Sequence, residues 1–166
     1  MTAPFLIEAL SAAHERKDFD CGIEQLNRYI AQQAAQDVRR NISKCYVAID
    51  AQTRAMAGFY TLAAAGAALQ DIPEDIARKL PRYPTVPVVR MGRLAVRRAY
   101  QGRKLGAALI IDAVARCIRS EIGAFALLVD AKDDKAAAFY RYHGFLTFDA
   151  APGTLLLPFK TAAGFK

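Results

Sequence analysis

Residues 86–129 leave this chain few ways to fold. Residues 86–96 are rich in β-branched and apolar side chains and read as a long strand, delivered extended because Pro81-Arg82-Tyr83-Pro84 cannot be helical. Residues 97–104 form a loop. Over residues 105–122, Leu109, Ile110, Ala113, Val114, Cys117 and Ile118 recur at helical spacing, while Asp112, Arg116, Arg119 and Glu121 face water. Residues 125–129 are a continuous apolar run, the pattern of a strand buried on both faces. Strand, loop, helix and buried strand in that order predict an α/β fold with a mixed sheet and helices on its faces.

The flanking sequence adds elements of the same kind. Residues 5–7 read as a first strand. Asp20 is the expected N-cap of a helix carrying Ile23, Leu26, Tyr29 and Ile30, and residues 32–40 form a second helical stretch. Residues 44–50 and 57–68 pair as a hairpin across 51–55, with Val47 and Ile49 on one face and Gly58 relieving crowding. Pro73 opens a short helix over 73–79. Pro87 places the start of the 86–96 strand at an edge or unpaired. A helix over 133–143, stopped by Gly144, precedes strands at 145–148 and 154–157. No repeat or linker interrupts the chain, so one domain over residues 1–166 is expected.

Charge and composition narrow the function. Of 166 residues, 54% are hydrophobic and 23% charged, as in an ordinary globular domain. No apolar run reaches the ~20 residues of a membrane span, and residues 1–10 lack a basic region followed by a long apolar stretch, so a cytoplasmic protein is expected. Three widely spaced cysteines, no CxxC pair and two histidines predict no metal site and reduced thiols. His14 reads as a structural cap. Asp130, Asp133 and Asp134 cluster near a strand end, with Asp133 the better reading as a helix N-cap. The net charge is +7, and its placement matters more than its size. Residues 76–111 hold no acidic residue and nine basic ones: Arg78, Lys79, Arg82, Arg90, Arg93, Arg97, Arg98, Arg103 and Lys104. Such a stripe is either a solvated basic face or a surface for a polyanion, a phosphorylated cofactor or nucleic acid.

The loop between the strand and the amphipathic helix supplies a place for phosphate. A helix N-terminus has N–H groups without intrahelical partners and about half a positive charge. Glycines there admit a pyrophosphate to the backbone, and nearby Arg and Lys add charge. The spacing of Gly102 and Gly106 excludes the dinucleotide fingerprint, and no GKS or GKT follows as in the nucleoside-triphosphate loop. Gln101-Gly102-Arg103-Lys104-Leu105-Gly106 instead resembles the Q/R-x-x-G-x-G/A acetyl-CoA loop of the GNAT-family N-acetyltransferases. Gly92-Arg93-Leu94-Ala95-Val96 is similar to the family strand before that loop. Ala136, Phe139-Tyr140 and Gly144-Phe145 are similar to its A-x-x-F-Y-x-x-x-G-F helix and turn.

The resemblance implies a mostly antiparallel central sheet flanked by helices on both faces, and acetyl-CoA as co-substrate without a metal. It implies a cofactor site at Leu94, Ala95, Val96, Gln101, Gly102, Arg103, Lys104, Leu105, Gly106 and Ala107. It also implies Tyr140 as the phenol that protonates the leaving thiolate. The family usually has glycine where this chain has Lys104, and a lysine does not readily take positive φ.

Leu10, His14, Phe19-Asp20-Cys21-Gly22, Leu26-Asn27-Arg28-Tyr29-Ile30, Gln36-Asp37-Val38-Arg39-Arg40, Gly58-Phe59-Tyr60-Thr61-Leu62, Leu80-Pro81-Arg82-Tyr83-Pro84 and Asp130-Ala131-Lys132-Asp133 resemble one branch of that family. It comprises the acetyltransferase toxins of bacterial toxin–antitoxin pairs. This narrower resemblance implies acetylation of the α-amine of aminoacyl-tRNA, a block on translation, neutralisation by a ribbon-helix-helix antitoxin and a homodimer. The residues agree on one point. No Glu or Asp lies in the strand, the loop or the helix start, residues 86–111, as an obvious base, and an α-amine, with a pKa of about 7.7–8.0, needs one less than a lysine amine at about 10.4. Arg78, Lys79, Arg82, Arg90 and Arg93 exceed what a cofactor needs and are the expected RNA contacts. Two other readings stay open: acetylation of a small-molecule or protein amine, and a non-catalytic binding module.

Overall fold

The structure is a computed structural model that describes residues 4–162; residues 1–3 and 163–166 of the expected domain lie outside the described residues. Its strands are β1 (Phe5–Ala9), β2 (Lys44–Asp50), β3 (Met56–Ala68), β4 (Thr85–Val96), β5 (Ala126–Asp130), β6 (Leu146–Thr147) and β7 (Thr154–Pro158). Its α-helices are α1 (Glu24–Arg28), α2 (Ala34–Arg39), α3 (Glu74–Ala77), α4 (Leu105–Arg119), α5 (Asp134–Tyr142) and α6 (Phe159–Ala162). The strands form a seven-stranded sheet in the order β1-β2-β3-β4-β5-β7-β6. β1–β2, β2–β3, β5–β7 and β6–β7 pair antiparallel, whereas β4 and β5 are parallel, as a crossover through α4 requires.

The chain divides into two compact units, residues 1–63 with 92–113 and residues 64–91 with 114–166. The first has a core of Phe19, Ile30, Val47, Ile49, Met56 and Phe59. Cys45, Val47 and Ile49 enter it from alternate positions of β2, which is the period of a strand, while Ala48 is buried on the other face. Each large side chain wholly removed from water there contributes roughly 1.5–3 kcal/mol. Gly58 sits where β3 meets β4: a Cβ would lie 2.8 Å from the Ala95 carbonyl oxygen and 3.2 Å from Leu109 Cδ1. The second unit packs Val86, Val88, Ala126, Leu128, Phe148 and Leu156. β5 is buried from Ala126 to Val129, as a strand covered on both faces must be.

Several local expectations give way to longer-range contacts. Asp20 does not cap α1, whose N-cap is Ile23 with no side-chain bond. Its Oδ1 instead accepts from Gly22 N and Asn27 Nδ2, which shapes the loop before the helix. The expected second helix over 32–40 is not separate from the first. A π-helical turn, Tyr29–Gln33, joins α1 to α2, with Ala34 N donating to Tyr29 O. Pro87 does not mark an edge: β4 lies between β3 and β5, the ladder to β5 runs through Val89 and Arg90, and the Pro87 carbonyl accepts from Phe125 N. α4 ends at Arg119, short of residue 122, and Ile118 is exposed rather than part of the buried stripe. Asp112 does not face water freely but accepts the Tyr60 hydroxyl at 2.5 Å, a contact between α4 and β3. Asp133 caps α5 as expected, accepting from Ala136 N, and Gly144 follows the helix at φ +93°. His14 ties its own loop: Nδ1 accepts from Ser11 N, and Nε2 lies 2.6 Å from Glu8 Oε2.

Candidate active site

The turn that leads from β4 into α4 is built almost entirely by first-unit contacts. Beyond Arg90, the last residue of its ladder with β5, β4 continues to Val96. Ala95 is buried, and Leu94 and Val96 are half-buried. Arg97 then anchors the chain to β3, its backbone N–H donating to Ala57 O and its Nε to Met56 O, both at 2.7 Å. A 3₁₀ turn, Arg98–Tyr100, follows, with Arg98 N donating to Asp20 O. Gln101 Nε2 donates to Val96 O and Cys21 O, so its side chain ties the loop to the end of the strand.

The next residues turn the backbone into the helix. Gly102 has φ +80° with nothing within 4 Å of where a Cβ would stand, and Lys104 has φ +64°. The lysine thus takes the left-handed conformation that the glycine of the family pattern would supply, at a cost of roughly 1–2 kcal/mol. The first helical hydrogen bond runs from Ala108 N to Lys104 O, so the N–H groups just ahead of Ala108 have no acceptor within the helix. Buried Leu105 seats the helix start, with Gly106 and Ala107 half-buried behind it.

The surroundings of this turn are cationic. No acidic residue lies in the first turn of α4. Arg103 and Lys104 are exposed, and the Arg103 guanidinium lies 5.2 Å from the Tyr100 ring and 5.9 Å from the Phe5 ring. Tyr100 is itself fixed, its hydroxyl donating to Asp50 Oδ2 at 2.6 Å. That bond and the Gln52 and Thr53 backbone N–H groups lower the Asp50 carboxyl to about 2. Open backbone N–H groups, two residues at positive φ, two exposed cations and a first helical turn free of carboxylates suit a pyrophosphate. Among the described residues, no group of His, Cys, Asp and Glu is placed to hold a metal ion.

Tyr140 lies in the second unit, on α5. It is 9% exposed, with its ring edge-on to Phe139 and Phe145. Burial alone pushes its phenol up to about 12. The group therefore keeps its proton throughout the physiological range.

The five arginines and lysines expected to meet RNA do not share one environment. Arg78, Lys79 and Arg82 are exposed in the second unit. Arg90 is paired with Asp130, which also accepts the Thr154 hydroxyl. Arg93 belongs to the first unit, where its guanidinium stacks 3.6 Å from the centre of the Tyr29 ring. The pairs Arg93–Tyr29, Tyr100–Asp50 and Tyr60–Asp112 had no local signal in the sequence, because each joins residues that are far apart along the chain. The one available hint was the surplus of Tyr over Trp, since a partly buried phenol calls for a polar partner.

Known proteins match this architecture along its whole length. The model of the acetyltransferase (GNAT) family matches residues 8–145. A tRNA-acetylating toxin of Mycobacterium tuberculosis is 36% identical over 155 residues, covering 92% of this chain and 91% of its own. A solved tyrosine-to-phenylalanine mutant of KacT superposes with a TM-score of 0.90 at 26% identity, covering 99% of this chain and 100% of that one. AtaT complexed with acetyl-methionyl-tRNAfMet gives a TM-score of 0.87 at 28% identity, covering 97% and 98%. AtaTR has also been solved bound with AcCoA, with a TM-score of 0.82 at 28% identity over 98% and 99%. With the family model spanning residues 8–145 and a relative 36% identical over 92% of its length, the chain belongs to the acetyltransferase (GNAT) family.

Proposed function

We propose that this protein transfers the acetyl group of acetyl-CoA to the α-amino group of aminoacyl-tRNA, and so acts as the translation-blocking toxin of a toxin–antitoxin pair. Residues 1–166 work as one catalytic domain, in a cytoplasmic homodimer restrained by an antitoxin of ribbon-helix-helix type. The observation that carries this reading is the match, across nearly all of the chain, to a relative named a tRNA-acetylating toxin. The cationic turn ahead of α4 and the absence of any carboxylate from residues 76–111 support it. Among the described residues no helix is long and apolar enough to cross a membrane.

In this mechanism the backbone N–H groups of Gly102, Arg103, Lys104, Leu105, Gly106 and Ala107 take the pyrophosphate, the Arg103 and Lys104 side chains add charge, and Gln101 holds the turn in shape. The stretch of β4 beyond its ladder with β5, at Leu94, Ala95 and Val96, offers backbone groups to the pantetheine amides and the thioester carbonyl. Acetyl-CoA supplies an activated acetyl group. The neutral amine of the aminoacyl ester attacks the thioester carbon; the N–C bond forms, the C–S bond breaks, and the surplus proton on nitrogen passes to water. The electron pair leaves with sulfur.

Tyr140 stands as hydrogen-bond donor to that thiolate. A phenol at about 12 is a weaker acid than an ordinary thiol near 8.5, so the phenol steadies the developing charge without surrendering its proton outright. The α-amine needs no strong base, because the electron-withdrawing ester lowers its pKa below the about 7.7–8.0 of a free α-amine and so raises its neutral fraction near pH 7.

The test is transfer of labelled acetyl from acetyl-CoA to aminoacyl-tRNA by the native protein and by Tyr140→Phe. The expected result is label on the aminoacyl end, with kcat reduced about 10²- to 10³-fold in the variant at an unchanged melting temperature. Label on small amines with aminoacyl-tRNA untouched would contradict the substrate. Equal rates in the two proteins would remove Tyr140 from the chemistry.

A further inference from the structure

A cavity in the first unit has a chemistry of its own. It measures about 480 Å³, within the range of small-ligand sites. Its walls include Gln25, Arg28, Tyr29, Gln32 and Gln33 from the α1–π–α2 helix and Arg93 from β4. The π-helical turn shapes this wall: one extra residue per turn lets the buried Tyr29 ring point inward while Gln32 and Gln33 stay exposed. Such turns concentrate at functional sites.

The cavity is pre-organised. The Tyr29 hydroxyl donates to Asp37 Oδ2 at 2.8 Å and Gln33 Nε2 donates to Asp37 Oδ1 at 2.9 Å, so the ring cannot swing. Hydrogen bonds from Gln33 and Tyr29 hold the Asp37 carboxyl below its ordinary value, which keeps it an acceptor for both. Over the fixed ring lies the Arg93 guanidinium, 3.6 Å from its centre. Gly92, beside it, narrows nothing, and a Cβ there would stand 3.3 Å from Thr61 Oγ1.

The lining selects among ligands. Three glutamine amides offer donors and acceptors together, which a phosphate, an acceptor only, does not need. Leu26 is the single aliphatic side chain in the wall and is half-buried, too little to hold an apolar amino-acid side chain. No carboxylate lines the cavity among the described residues, and Arg28 and Arg93 make it cationic. A planar cation layered on an aromatic ring, mixed amide edges and positive charge are what an unstacked nucleotide requires: a flat face, a base edge to read and a phosphate to neutralise.

We propose that this cavity is a subsite for one unpaired nucleotide of the acceptor RNA, with its base stacked on the Arg93–Tyr29 layer and its edge read by Gln32 and Gln25. The proposal rests on the aminoacyl-tRNA reading above and makes Arg93 a stacking surface rather than one more phosphate contact.

The test compares the native protein with Arg93→Lys, which keeps the charge but removes the plane, and with Gln32→Ala, an exposed change. Each is assayed with aminoacyl-tRNA and with an amino-acid methyl ester that carries no nucleotide, and acetyl-CoA binding is measured by calorimetry. The expected result is that the ratio of kcat/KM on aminoacyl-tRNA to that on the ester falls about tenfold in each variant, through KM for the RNA, while acetyl-CoA still binds. An unchanged ratio, whether both substrates suffer equally or neither does, would overturn the subsite. A native protein that acetylates the ester but leaves aminoacyl-tRNA unmodified would overturn the tRNA reading itself, and the subsite with it; the native arm and the variant arms thus separate the two failures.

Discussion

Lys104 carries a backbone conformation that its side chain opposes. At φ +64° its Cβ crowds the following carbonyl, a penalty that glycine escapes. Such strain persists only where neighbouring contacts over-determine it, here Gln101 tied to the strand end and Leu105 buried in the core. The turn is therefore imposed by its frame rather than by its own residue preferences. Tyr100 is part of that frame, and its bond to Asp50 has a measurable pH signature. The Asp50 carboxyl is depressed to about 2 from an ordinary 3.8, first by the Tyr100 hydroxyl. A depressed carboxylate contributes stability that is present above its unfolded pKa and is lost as pH falls through the folded one. The native protein should thus melt higher than Tyr100→Phe above pH 4, with the gap closing as pH falls toward 2. A gap that stays constant across a thermal-melting series over that range would contradict the assignment.

Elements built on dense local pattern were legible in the sequence. β2 follows its alternation from Lys44 to Asp50, and α5 has its cap at Asp133 and its stop at Gly144. Elements whose details depend on distant partners were not. The π-helical turn at Tyr29–Gln33 has no composition cue. Ile118 fits the helical period of α4 yet is exposed, because periodicity marks a face but not where its cover ends. At the site, the glycine and charge pattern of residues 101–107 was readable, whereas the ties that shape it, Arg97 to Met56 and Gln101 to Cys21, join segments far apart in sequence. Gly58 relieves crowding, as its place in the β3 sequence suggests, and the reason is the Ala95 carbonyl oxygen 2.8 Å from where its Cβ would stand. Since that neighbour is backbone, Gly58→Ala has to push β3 from β4. The expected loss is about 1–3 kcal/mol in denaturant unfolding; a neutral result would mean that the two strands yield there at no cost.

At the scale of the molecule, the net charge of +7 is concentrated in one stretch of sequence but not in one environment. Arg90 is neutralised by Asp130, whereas Arg78 and Arg82 are exposed. Counterion release makes RNA affinity fall with salt in proportion to the phosphates neutralised. Arg78→Glu and Arg82→Glu should therefore each weaken aminoacyl-tRNA binding and flatten its salt dependence, the log–log slope falling by about one for each phosphate no longer neutralised. Arg90→Gln should do less. A larger loss at Arg90 than at the other two, in binding titrations across a salt series, would reverse this ranking.

Coenzyme binding depends most on the turn ahead of α4. Gly102 is its cleanest probe: no atom lies within 4 Å of the site of a Cβ, so a side chain there meets no clash and acts only through φ +80°. Calorimetric titration of acetyl-CoA into the native protein and into Gly102→Val tests it. One site per chain is expected in the native protein, with affinity reduced about tenfold by the roughly 1–2 kcal/mol that a β-branched residue costs at positive φ. No binding to the native protein, or equal binding to both, would contradict the claim that these backbone N–H groups hold the coenzyme.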